Sequence, residues 1–75
     1  MGVRIKPINE KFDVGIDIDG DGDDKKYYIY KDMNGVKSWV TKYKKLDRWH
    51  GAKAYVRTWE QATKIVGQIF AGEIK

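Results

Sequence analysis

Cysteine is absent from this chain, proline occurs once, at Pro7, and serine and histidine occur once each, at Ser38 and His50. Without cysteine there is neither a disulfide nor a thiolate zinc site, so packing alone must hold the fold, as is usual in a reducing compartment. The single serine and single histidine lack the spacing of a nucleophile-and-base pair, and His50 sits in a loop between Trp49 and Gly51. The acids cluster in an exposed-looking turn, a poor setting for a tuned carboxylate pair. An enzyme is therefore not expected. No apolar run approaches the roughly 20 residues that cross a bilayer, and no signal-peptide core follows Met1. The expectation is a cytoplasmic protein with no membrane partner. Its 75 residues allow one domain, 1–75, with a thin core and little room for a deep pocket.

What the chain has in quantity is charge, 35% of residues, and aromatics, 13%. The charge is divided along the sequence. Residues 1–24 hold seven acids against three bases, a net −4, whereas residues 25–75 hold twelve bases against four acids, a net +8. One small body thus carries an acidic and a basic region, either of which could face a partner or an ion.

Phe12, Val14, Ile16 and Ile18 alternate with polar residues or glycine, the period-two pattern of a strand with one buried face. The Asp/Gly run at 19–24 reverses the chain into a second strand at 27–31. Asn34-Gly35 then marks a tight hairpin into a third strand at 36–43. That register places Tyr30 opposite Trp39, Tyr28 opposite Thr41 and Asp32 opposite Lys37. Residues 52–57 read as a fourth strand, with 44–51 a loop. Thr58 opens a helix with Gln61 three residues on, a capping-box spacing. Trp59, Ala62, Ile65, Val66, Ile69 and Phe70 form its apolar stripe, and Gly72 a stop. Residues 3–8 offer a further edge strand limited by Pro7. The fold class is α+β: an antiparallel sheet of three to five strands with one C-terminal amphipathic helix on one face, in the order β-β-β-β-α.

Strand parity sorts the sheet into two faces. Tyr27, Ile29, Met33, Val36 and Val40, with Ala52, Ala54 and Val56, suit the helix side. The other face carries Tyr28, Tyr30, Trp39, Tyr43 and Tyr55 beside Lys37, Lys53 and Arg57, with Lys42, Lys44, Lys45 and Arg48 nearby. Cations that neutralise phosphates and rings that stack on bases make this face a candidate for nucleic acid, DNA favoured over RNA. The competing expectation is that the helix covers the aromatic face and the lysines are an ordinary solvated surface.

The run Gly51-Ala-Lys-Ala-Tyr-Val-Arg-Thr-Trp-Glu-Gln-Ala62, after a hairpin carrying Trp39 and Lys42, resembles the three-stranded-sheet-plus-helix DNA-binding domains of the tyrosine-recombinase arm-binding and ethylene-response-factor type, over about residues 27–70. That resemblance implies a sheet that reads the major groove with the helix packed behind it. The acidic first strand is not part of that family's pattern. In size and style the chain is also similar to small phage-encoded inhibitors, including anti-CRISPRs, which implies a protein partner in the nucleic-acid machinery.

Asp17, Asp19, Asp21 and Gly22 match the first half of a calcium loop, and Asp23 extends the run. The second half departs, since the twelfth position from Asp17 is Tyr28. Calcium held by Asp17, Asp19, Asp21 and Asp23, a solvated turn, and an acidic docking patch are the three readings of this segment.

Overall fold

A computed structural model describes residues 13–75 of the chain, with the side chains of Asp13 and Met33 left aside. The expected edge strand at 3–8 and the core role of Phe12 lie outside the described residues. Five strands and one helix follow in order: β1 (Asp13–Asp19), β2 (Lys26–Met33), β3 (Val36–Val40), β4 (Leu46–Asp47), β5 (Tyr55–Val56) and α1 (Trp59–Phe70). The fold is α+β, an antiparallel sheet with one C-terminal helix. Among the described residues no helix is long and apolar enough to cross a membrane.

The longest strand, β2, organises the sheet. Along one side it pairs with the whole of β1, from Asp13 opposite Asp32 to Asp19 opposite Lys26. Its other side is shared: β3 takes the half from Tyr30 to Met33, and β5 takes Tyr27 and Tyr28. The Asn34-Gly35 hairpin forms as expected, with both residues at positive φ (55° and 83°) and Tyr30 opposite Trp39 and Asp32 opposite Lys37.

Tyr28, however, faces Tyr55 and not Thr41. The third strand ends at Val40, three residues before the expected end at Tyr43, because Thr41 starts a turn. Its hydroxyl accepts from Tyr43 N at 3.2 Å, its carbonyl accepts from Lys44 N at 3.0 Å, and its N–H donates to Lys45 O at 2.8 Å. The chain then doubles back as β4, unforeseen within the expected loop, with Val40 opposite Leu46 and Trp39 opposite Asp47. A 3-10 turn (His50–Ala52) returns it to β2 as the two-residue β5, shorter than the expected strand at 52–57. The bond from Ala54 N to Val40 O, 3.0 Å, and the bridge between Thr41 and Lys53 splice β5 onto the end of β3.

The helix covers the aliphatic face. Ala62, Ile65 and Ile69 close over Val14, Ile16, Tyr27, Ile29 and Val40, and Ile74 completes the cluster. Each isoleucine removed from water here contributes about 1.5–3 kcal/mol before conformational costs. Trp59 and Phe70, at the margins of the stripe, stay substantially exposed, as does Val36 at the hairpin end. The helix start is fixed by Thr58, whose Oγ1 accepts from Gln61 N at 3.1 Å, while Gln61 Oε1 reaches back to Arg57 N at 3.3 Å. At its end Gly72 N bonds Ile69 O (3.1 Å) and Glu73 N bonds Gln68 O (2.9 Å), the paired bonds of a Schellman stop. Leu46 N donates to Lys75 O at 3.1 Å, which ties the residues after the helix to β4.

Candidate nucleic-acid interface

Because directly paired strand residues share a face, the side opposite the helix carries two cross-strand rows. One runs Gly15, Tyr30, Trp39, Asp47; the other runs Asp17, Tyr28, Tyr55. The helix does not cover this face, yet Tyr30 and Trp39 are buried, at 1% and 5% exposure. Their expected availability to a ligand is therefore corrected, for a local reason. A Cβ at Gly15 would overlap the phenol end of the Tyr30 ring, so that ring packs against bare backbone. Trp39 leans on Tyr30 at 5.2 Å between centroids and meets the His50 ring edge-on, also at 5.2 Å.

Cations complete the cover. Lys37 Nζ sits 4.5 Å from the Tyr30 centroid and 5.8 Å from that of Trp39. Lys53 Nζ sits 4.1 Å from Tyr28 and 5.0 Å from Trp39, and lies 3.0 Å from His50 Nε2. Over Tyr55 lie the Arg57 guanidinium at 4.9 Å and Lys26 Nζ at 5.3 Å, and Arg57 also donates to the Tyr55 hydroxyl at 3.4 Å. Each such contact is worth about 0.5–1 kcal/mol at an exposed site. Lys26 is not among the interface residues that the sequence suggests; its place opposite Asp19 at the start of β2 brings it here.

The remaining predicted residues separate into three places. Tyr43, 72% exposed, and Lys42, whose Nζ is 5.1 Å from the Tyr43 ring, stand on the turn that Thr41 closes. With Lys45, Lys53 and Trp49 they line an open cleft of about 570 Å³ between this turn and the 3-10 turn. Lys44, at φ 60°, instead lines depressions beside the helix with Ile65, Gln61 and Lys64. Arg48 is exposed on the segment that joins β4 to Trp49. Trp49 itself, 70% exposed, went unremarked in the sequence, where the only hint was an aromatic between Arg48 and His50 ahead of a glycine. Its position is built: Trp49 N donates to Asp47 Oδ1 at 2.8 Å, Trp49 O accepts from Ala52 N at 3.0 Å, and a Cβ on Gly51 would stand 2.8 Å from the indole.

The acidic segment lies at the other end of β2. Asp17 and Asp19 are in β1, and Asp21 precedes the 3-10 turn Gly22–Asp24 that contains Asp23. Among the described residues no three acidic or imidazole side chains are grouped so as to hold a metal ion. Asp19 and Asp24 instead border an open depression of about 480 Å³ together with Lys26 and Arg57. The acidic and basic regions meet at this corner. Ser38 pairs with Lys31, on the helix-side face, whereas His50 packs on Trp39 on the opposite face, which keeps the two apart. Comparison with protein-family models, curated proteins and solved structures finds no match.

Proposed function

We propose that this chain is a small nucleic-acid-binding module whose sheet face grips phosphates. One observation carries the reading: Lys26, Lys37, Lys53 and Arg57 are held over a row of rings on the face that the helix leaves open. Cations placed in advance lose less freedom on binding than free surface lysines. Neutralising a phosphate with each releases counterions, so affinity must fall steeply with salt. The resemblance to sheet-plus-helix DNA-binding domains agrees with a ligand on this face. On this reading Tyr30 and Trp39, which are buried, hold cations and do not stack on bases.

Fluorescence anisotropy with labelled single- and double-stranded DNA and RNA tests the reading. Four phosphate contacts predict a slope of log K against log salt of about −3 on a single strand, and Lys53→Ala should flatten it by about one contact. Absence of binding to every probe at low salt refutes it. A protein partner in the nucleic-acid machinery is the alternative, favoured by the exposed acidic turn at residues 21–24. A partner recovered equally from nuclease-treated and untreated lysate, with no direct nucleic-acid binding, would select it.

A further inference from the structure

We infer that the cleft between the 41–45 turn and the 3-10 turn receives an unpaired base of a single strand, stacked on Trp49, and that the module therefore prefers single-stranded to duplex nucleic acid. This rests on the proposed function and adds the class of ligand.

Three observations point to that occupant. Tyr43 and Trp49, the most exposed large apolar side chains among the described residues, border the same cleft, at 72% and 70% exposure. The Trp49 indole is backed by Gly51 with its backbone tied to Asp47, and Tyr43 stands on the turn whose backbone Thr41 ties. Unlike the rings of the sheet face, the Trp49 indole has no cation seated over it among the ring contacts of the described residues, so its outer surface is left for a ligand.

The surroundings supply the charge and the space. Lys42, Lys45 and Lys53 line the cleft, positioned to meet the phosphates on either side of an inserted base. Lys53 belongs to both regions, since its ammonium also lies over Tyr28 and Trp39. A strand gripped along the sheet face can thus pass directly into the cleft. At about 570 Å³ the cleft is within the range of about 300–1,000 Å³ typical of small-ligand sites. Bases in a duplex are already stacked on one another and cannot present a face to Trp49, whereas unpaired bases can do so whatever their sequence.

The test compares a labelled single strand of about 12 nucleotides, within the span such modules cover, with a duplex of equal length and a strand of abasic sites, using wild type, Trp49→Ala and Trp49→Phe. Wild type should bind the base-bearing single strand at least about tenfold more tightly than the other two probes. Trp49→Ala should remove about that factor for the base-bearing strand and leave the duplex and abasic affinities and the salt slope unchanged, while Trp49→Phe retains most of it. Near-equal affinity for all three probes, or an equal loss on all three in Trp49→Ala, overturns the inference while the phosphate-gripping function stands. Failure of wild type to bind any probe overturns both.

Discussion

The sheet face and the cleft are built from the same materials, tyrosine, tryptophan and lysine, and expose them in opposite ways. On the face, Tyr30 and Trp39 are buried and their lysines sit on top of them. In the cleft, Tyr43 and Trp49 stand in solvent; Lys42 lies 5.1 Å from the Tyr43 centroid, but among the ring contacts of the described residues no cation sits over Trp49. What separates the two is the backbone beneath. On the face, Gly15 and the residues around it let Tyr30 be almost wholly covered, whereas at the turn Gly51 backs one side of the Trp49 indole and leaves the residue 70% exposed. Composition alone therefore says little about whether an aromatic among lysines is structure or recognition surface.

Substitutions can break this contrast, beginning with the most severe. Trp39→Ala should cost about 3–5 kcal/mol in urea denaturation, the usual loss for a buried indole, and in so small a domain this approaches the whole stability. A loss under about 1 kcal/mol would mean that the face is not a packed layer. Gly15→Ala should cost about 1–3 kcal/mol by driving the Tyr30 ring off its seat, and near-UV circular dichroism should report the moved ring. If the variant were as stable as wild type, bare backbone at Gly15 would not be what lets Tyr30 be covered. Lys44→Gly should stabilise by up to about 1 kcal/mol, since Lys44 holds a left-handed conformation that costs a non-glycine residue about that much. Smallest of all, Trp49→Ala should move the denaturation midpoint by no more than the equivalent of about 0.5 kcal/mol, as surface changes do, in contrast to Trp39→Ala.

How much of this the sequence disclosed follows the range of the interactions involved. The Asn34-Gly35 turn, the Thr58 cap and the Gly72 stop rest on neighbours within a few residues, and all three formed as read. Strand parity also assigned Val14, Ile16, Ile29, Val40 and Val56 to the helix side correctly. The exit of the third strand at Thr41, the return through β4 and the handover of Tyr28 to Tyr55 depend on contacts between distant segments, which alternation along one strand does not encode. The candidate interface shifted for the same reason. Burial of Tyr30 depends on Gly15 in another strand, and the cleft depends on two turns brought side by side, so strand parity reveals neither the burial of Tyr30 and Trp39 nor the placing of Trp49. For the aspartate run, strand pairing places Asp17 and Asp19 in β1 and Asp21 and Asp23 beyond its end, a division that spacing alone does not reveal.

The three indoles allow the division between the regions to be read in one titration. Trp39 reports the sheet face, Trp49 the cleft and Trp59 the start of the helix. In a nitrogen-15-labelled sample titrated with a short single strand, the indole N–H signal of Trp49 should move furthest, that of Trp39 only slightly beneath its lysines, and that of Trp59 not at all. Binding accompanied by a larger shift at Trp39 or Trp59 than at Trp49 would contradict the assignment of base stacking to the cleft and of phosphate gripping, by cations over buried rings, to the face.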